Sequence, residues 1–290
     1  TLEAPVIGGQ GAPVEWLLHM RRFDGAGEFK ALATAGRLQA VQIDALAAHL
    51  AAFHLGLPPV DPVQAPDVTP VAEVPDVLQT PRKDAWHWAA ASLDEIAADP
   101  LRPVTCTPGA VAAVRATLGD QFTRLVPMIA RRRAAGVERE CHGDLHLGNL
   151  VDWQGTVLAF DAIEFDASLR CIDIVNDVAF TFMDLLAADL PALAWRFINA
   201  WAEATGDYEG LVLLRAFAAG RALVRAKVAL LSGGHSAGFA RYWALAERLV
   251  QPPPAPRMVL TMGLSGSGKS TVAQFLAEAL GAVRVRSDVE

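Results

Sequence analysis

Residues 141–166 read CHGDLHLGNLVDWQGTVLAFDAIEFD. His142, Asp144 and Asn149 fall in the order H-x-D-x-x-x-x-N, and Asp161 follows at the end of an apolar run. The apolar runs Asn149 to Trp153 and Thr156 to Phe160 flank Gln154-Gly155, which is hairpin spacing around a turn. A loop, two short strands and a second acidic loop are therefore expected. They gather three oxygen-bearing side chains, those of Asp144, Asn149 and Asp161, where one nucleotide–metal complex can meet them.

Working outward from this centre, the chain on both sides reads as support. Upstream, VEWLLHMRRF at 14–23 suits a strand running into the Asp24-Gly25 turn, and Ile43, Leu46, Leu50 and Phe53 recur at helical spacing within a helix over 39–55. Seven prolines over 58–81 exclude a regular element there. A short helix is expected around Trp86 and Trp88, running to about Ala98. Thr107-Pro108 then has the form of an N-cap followed by proline at the first helical position, opening a long Ala-rich helix that ends near Gly136. Downstream, helices are expected at about 172–188, 190–204, 208–231 and 237–249.

A second centre closes the chain. QPPPAP at 251–256 reads as an extended spacer. Beyond it, 257–262 reads as a buried strand, 272–280 as a helix and 283–286 as a second strand, the opening of a βαβ unit. Between the first two, GLSGSGKS at 263–270 matches G-x-x-x-x-G-K-[ST] in full. In such a loop Gly263, Gly266 and Gly268, with Ser265 and Ser267, let backbone N–H groups wrap phosphate oxygens. Lys269 reaches the outer phosphates, Ser270 ligates magnesium and Thr271 follows at the helix start. Asp288, just past the second strand, is a candidate to contact or deprotonate a substrate hydroxyl, or an ordinary loop aspartate.

Composition narrows the classes. The 290 residues are 52% hydrophobic, enough for a sizeable core. A formal net charge of −7 argues against nucleic-acid binding through a broad basic surface; the run Arg131 to Arg133 reads as a solvated helix face. Three cysteines without C-x-x-C spacing fit a reducing compartment. No leader-like or membrane-spanning stretch occurs, so a cytoplasmic protein without a membrane partner is expected.

Phosphoryl transfer needs a carboxylate to orient or accept the proton of the attacking hydroxyl, and oxygen ligands to hold magnesium on nucleotide phosphates. Asp144 suits the first role; Asn149 and Asp161 suit the second. A competing reading makes His142, Asp144 and His146 ligands of a transition metal, but no distant His or Cys cluster completes it, and hard oxygen donors favour magnesium. Asp166, Asp173 and Asp177 near a helix start read first as caps and dipole partners.

HGDLHLGN, AFDAIEFD and the series from Arg170 through DIVNDVAF together resemble the aminoglycoside phosphotransferase and choline kinase-like family. The likeness is greatest to bacterial two-part proteins in which such a domain precedes a P-loop, AAA-type or zeta-like, ATP-binding kinase domain. MRRF at Met20 to Phe23 resembles the segment after the hinge between lobes. The resemblance implies an α+β, protein-kinase-like fold: a mainly helical large lobe over 1–250 with its small lobe largely missing, a linker at 251–256, and the truncated start of an α/β P-loop NTPase domain at 257–290. It further implies Asp144 as catalytic base, Asn149 and Asp161 as magnesium ligands, His142 and Asp177 as structural support, and ATP with Mg2+ at Lys269, Ser270 and Thr271.

Such kinases hold ATP with a strand lysine from the small lobe. None of Lys30, Lys83, Lys227 and Lys269 stands in that context before the catalytic loop, so the small lobe is expected upstream of Thr1. The leading functional expectation is an ATP- and magnesium-dependent phosphotransferase acting on a small hydroxyl-bearing molecule. The alternatives are a nucleotide-binding regulatory protein with a degenerate kinase-like domain, and a P-loop kinase whose helical domain only selects substrate.

Overall fold

The computed structural model describes residues 24–60, 84–232, 237–253 and 255–286. The strand expected over 14–23, most of the proline-rich stretch 58–81, and Asp288 lie outside the described residues. In chain order the helices are α1 (Phe29–Thr34), α2 (Ala40–Gly56), α3 (Ala85–Ala98), α4 (Pro108–Ala134), α5 (Ala167–Arg170), α6 (Ile174–Ala187), α7 (Pro191–Thr205), α8 (Leu211–Leu231), α9 (Ala237–Val250) and α10 (Lys269–Leu280). Two antiparallel ribbons complete the described elements. β1 (Glu138–Glu140) pairs with β4 (Cys171–Asp173), and β2 (Leu150–Trp153) pairs with β3 (Thr156–Ala159).

Local chemistry sets the helix boundaries. Thr107 Oγ1 accepts the Ala110 N–H at 3.1 Å ahead of Pro108, the cap and proline pairing read from the sequence. In α2, Ile43, Leu46 and Leu50 are buried, but Phe53 is 37% exposed and His54 is buried in its stead. At 3.6 residues per turn, His54 lies roughly 20° from the direction of Ile43 and Phe53 roughly 80° from it. A polar residue thus takes the centre of the apolar stripe. The helix expected from residue 172 starts two residues later, because Cys171–Asp173 pairs with β1 and Asp173 caps α6, its Oδ1 accepting the Val175 N–H at 2.9 Å.

α6 is buried on nearly every side and forms the axis of the lobe. It packs on α7, α8 and α9; α2 covers α7, and α3 covers α8. Phe180, Phe197, Trp201 and Phe239 are fully buried in this helical core, each contributing about 1.5–3 kcal/mol by leaving water.

The arginine run at the end of α4 is not a solvated face. Arg132 is 3% exposed, and its guanidinium is shared between Asp173 (2.7 and 3.0 Å) and Asp207 (2.7 and 2.6 Å). Its neighbours do face outward, Arg131 pairing with Glu209 and Arg133 with Glu138. One planar fork therefore ties α4 to the start of α6 and the α7–α8 loop.

Beyond α9 the expectation is only partly met. α10 forms, three residues earlier than expected, but neither 257–262 nor 283–286 is a strand among the described residues. Strands exist by pairing, and no described residue pairs with either stretch; Met258, Leu260 and Met262 are exposed. The segment instead lies along α7. Arg196 bridges Asp44 and Glu278, and the Asn199 side chain donates to Ala282 O at 2.9 Å and accepts from Arg284 N at 2.6 Å, acting as a one-residue strand partner. Among the described residues, no helix is long and apolar enough to cross a membrane.

Candidate functional site

The 141–149 loop is held from beneath by one face of α6. Asp177, Thr181 and Asp184 recur at i, i+4 and i+7, one helical stripe, and each bonds the loop backbone. Asp177 accepts the N–H groups of His142 (3.2 Å) and Gly143 (2.8 Å), the Thr181 hydroxyl donates to Leu145 O (2.7 Å), and Asp184 accepts the Leu147 N–H (2.9 Å). The loop advances about two residues for each turn of helix beneath it, and Asp144, between the bonded positions 143 and 145, keeps its side chain one-third exposed.

Asp177 is fully buried. Its third donor is His54: Trp201 Nε1 donates to His54 Nδ1 at 3.2 Å, which leaves the imidazole proton on Nε2, 3.0 Å from Asp177 Oδ2. Burial alone would raise the Asp177 carboxyl, but the hydrogen bond from His54, with that from the Gly143 N–H, outweighs it and holds the group below the ordinary carboxylate range. Gly143 itself has φ +83°, and a Cβ there would stand 2.9 Å from Leu169 O, so glycine is required.

His142 ties the loop to the hairpin. Its Nε2 donates to Phe160 O at 2.8 Å while Nδ1 accepts the Asp144 N–H at 3.3 Å. With both ring nitrogens committed, His142 has no lone pair for the transition-metal site considered above. Leu150 pairs with Ala159 in the β2–β3 register, and Phe160 N donates to Asn149 O at 3.0 Å, so Asp161 follows one residue after the Asn149–Phe160 pair. Asp161 is exposed and adopts φ +61°, an unfavourable conformation for a residue with a Cβ.

Asp144 sits at the mouth, its side chain 33% exposed. Asn149 Nδ2 donates to both Asp144 O (3.0 Å) and Asp144 Oδ2 (3.1 Å), so the Asn149 Oδ1 points elsewhere. His146 Nε2 lies 3.5 Å from Asp144 Oδ2, and His146 Nδ1 accepts the Gly148 N–H. Burial, with Arg225 adding to it, pulls the His146 imidazole below its ordinary value against the opposing pull of Asp144 and Asp184.

The Gly263–Ser270 loop is built differently. Gly266 (φ +76°) and Gly268 (φ +83°) turn the backbone into the N-terminus of α10, and Lys269 Nζ folds back on Gly263 O (2.7 Å) and Leu264 O (2.6 Å). Its side chains are largely exposed. Ser270 and Thr271 open onto a broad cleft against α7, edged by Arg196, Glu203 and Glu278.

The sequence reading missed several residues that hold the first loop. His54, Thr181 and Asp184 had no assigned role; the D-x-x-x-T-x-x-D spacing of 177–184 was the available signal for the last two. Asp184 also accepts the Tyr242 hydroxyl at 2.6 Å, which ties α9 to the loop. Lys30, set aside in the sequence, places its Cδ 3.8 Å from where a Gly148 Cβ would lie. Of the acidic series, Asp166 and Asp173 cap helices, whereas Asp177 braces the loop. Among the described residues, His54, Cys141 and Asp177 are the one group with metal-like proximity; their geometry is that of the hydrogen-bonded brace just described.

A family profile described as an AAA domain matches residues 258–290. Uncharacterized proteins of Mycobacterium tuberculosis and Mycobacterium bovis are 32% identical to the chain over 166 residues, which is 56% of this chain and 33% of each relative. The chain thus spans about a third of the length of the curated relatives it matches. A solved structure of an ethanolamine kinase from Plasmodium vivax superposes with a TM-score of 0.40 at 16% identity, covering 78% of this chain and 61% of that one.

Proposed function

We propose that the chain is the part of a phosphotransferase that carries its base and metal side, moving a phosphoryl group from ATP to the hydroxyl of a small molecule. One observation carries this reading: Asp144, its side chain one-third exposed, sits on a loop whose backbone is fixed at 142, 143, 145 and 147 by α6, with Asn149 hydrogen-bonded to it and Asp161 just past the hairpin that follows. A proton acceptor and two hard-oxygen donors on a rigid support are what phosphoryl transfer asks of a protein.

Each residue has a role in this reading. Asn149 Oδ1 and Asp161 hold magnesium on the nucleotide; when bound, ATP with magnesium supplies the transferred phosphoryl group and the positive charge that steadies it. Asp144 orients the acceptor hydroxyl and takes its proton as the oxygen bonds to phosphorus and ADP leaves. His142 and Asp177 keep the loop in register. The second loop, with Ser265, Ser267, Lys269, Ser270 and Thr271, binds a further nucleotide and magnesium, and Asp288 is the carboxylate proposed to meet a hydroxyl there.

The full-length protein provides the test. Transfer of labelled phosphate from ATP to a panel of small alcohols is expected to collapse in Asp144→Asn and to survive Lys269→Ala. The opposite pattern would assign the chemistry to the P-loop and leave the helical lobe a substrate-selecting role. Tight ATP binding with no transfer by the wild type would support a regulatory module instead.

A further inference from the structure

α8 carries Arg221 and Arg225 at i and i+4, on the face turned toward the catalytic loop, and both stand on aromatic rings. The Arg221 guanidinium lies 4.9 Å from the centre of the Phe180 ring, whose centre is in turn 5.9 Å from that of His146. Arg225 lies 5.6 Å from the centre of the Tyr242 ring, with Arg241 on the same ring at 4.9 Å.

Neither α8 arginine has a carboxylate partner within ion-pair distance among the described residues, unlike Arg132 and Arg196. Arg221 makes one hydrogen bond, from Nε to the neutral Asn176 Oδ1 at 3.0 Å, although it is only 9% exposed. Arg225 leaves a buried Nε unpartnered. Of the nearby carboxylates, Asp177 and Asp144 offset the Arg221 charge only from a distance, and Asp177 and Asp184 are engaged in direct hydrogen bonds with the loop, His54 and Tyr242. A desolvated cation with no counter-charge in direct contact is costly, and an anionic ligand on the guanidinium reduces that cost.

The position of the pair decides which ligand. The metal-side residues belong to the hairpin, which packs against α1 and α2, whereas the arginines come from α8, which packs against α3, α6 and α9. Arg221 also lines a narrow, partly open cleft with Trp88, Ser168, Leu169, Asn176 and Phe217. That cleft borders the loop at Gly143, where Leu169 makes its close approach. Asp144 is hydrogen-bonded to Asn149 on one side and its charge is felt at Arg221 on the other.

We infer that the acceptor alcohol carries an anionic group, a phosphate or a carboxylate, which Arg221 and Arg225 hold while its hydroxyl meets Asp144. This rests on the phosphotransferase reading and narrows its substrate class: guanidinium groups on aromatic platforms match phosphate and carboxylate geometry and disfavour the polycationic acceptors that an acidic pocket would take.

A matched set of alcohols tests it: glycerol 3-phosphate, glycerate, uncharged glycerol and the cationic 3-amino-1,2-propanediol. Each is titrated calorimetrically into the full-length protein, with ADP and magnesium saturating the nucleotide loops. At least one anionic member is expected to bind about tenfold or more tighter than glycerol, the size of one charge-assisted hydrogen bond, and the amine more weakly than glycerol. The two anions separate a phosphate site from a carboxylate site. Arg225→Gln should abolish the preference and Arg225→Lys retain part of it. Equal binding of the four, absence of binding included, overturns the inference, as does preference for the amine or an anion preference untouched by Arg225→Gln. Asp144→Asn distinguishes the two readings. If both hold, it stops transfer while tightening anion binding, because a like charge is gone. Full transfer by Asp144→Asn alongside arginine-dependent anion binding sinks the phosphotransferase reading alone; lost transfer without any charge preference sinks the anionic acceptor alone.

Discussion

The two glycine-containing loops proposed for phosphate chemistry, 141–149 and 263–270, are held in opposite ways. The second is held by itself: left-handed glycines and a lysine folded onto the carbonyls of its own turn, all within a few residues. The first is held by residues far away in sequence, Asp177, Thr181 and Asp184 below it, His54 and Trp201 behind Asp177, and Tyr242 behind Asp184. A self-contained loop can stand exposed at a helix N-terminus and wait for a ligand to complete it. A loop that must aim one carboxylate at one hydroxyl needs external fixing, because its own backbone bonds do not determine where Asp144 points.

The largest effect that would sharpen this contrast is catalytic. Asp144→Asn keeps the loop's fixing bonds and removes the base, so steady-state transfer should fall by about 10²–10⁴-fold, with an unchanged urea midpoint. A comparable loss in Lys269→Ala would erase the division of labour.

Next in size is stability. Asp177→Ala leaves the His142 and Gly143 N–H groups and the His54 Nε2 proton buried without an acceptor, and should cost about 3 kcal/mol in urea unfolding. Lys269→Ala in the self-held, exposed loop should cost less than about 0.5 kcal/mol. Equal costs would break the comparison. Tyr242→Phe removes a single donor to Asp184 and should cost about 1 kcal/mol, with a fall in the rate of transfer and little change in the apparent affinity for ATP.

The smallest effects are those of pH. Because the folded-state pKa of Asp177 lies below its unfolded value, the stability it contributes is fully present above the ordinary carboxylate range and is lost as pH falls through the folded value. His146 acts at a higher pH: its folded pKa lies below the ordinary 6.5, so below that pH the unfolded chain takes up a proton that the folded chain does not, and stability falls. Urea midpoints followed from pH 8 downward should therefore decline first near 6.5 and again in the acid range, and Asp177→Asn should lose only the second decline. In the same titration at pH 8, Cys106, its thiol pushed up to about 11 by burial, should resist alkylation until the chain unfolds, with only about one part in a thousand as thiolate.

The sequence was informative where chemistry is local. The P-loop glycines, the Thr107-Pro108 helix start, the hairpin around Gln154-Gly155 and the downstream helices all depend on neighbours a few residues apart, and each was legible within two or three residues. The strands expected at 257–262 and 283–286 were not found, since a strand depends on a partner elsewhere. Arg132 was misread for a related reason: three consecutive arginines look alike in sequence, and only the packing of α4 on its neighbours α3, α8 and α9 turns the middle one inward, onto Asp173 and Asp207.

The same division holds for the candidate site. The sequence by itself determined which residue types stand in the loop and at what spacing, His142, Asp144, Asn149 and Asp161, because the spacing of a loop and the strand after it is a property of the chain. Only the tertiary structure decided that His54, at the centre of its apolar stripe, bonds Asp177, that α6 offers three polar side chains at successive turns, and that Arg221 and Arg225 of α8 stand on aromatic rings without a carboxylate in ion-pair contact. Those contacts join residues roughly 35 to 150 positions apart, and the energy that selects them, partnering of buried polar groups, is set by what each group meets when the helices close on one another.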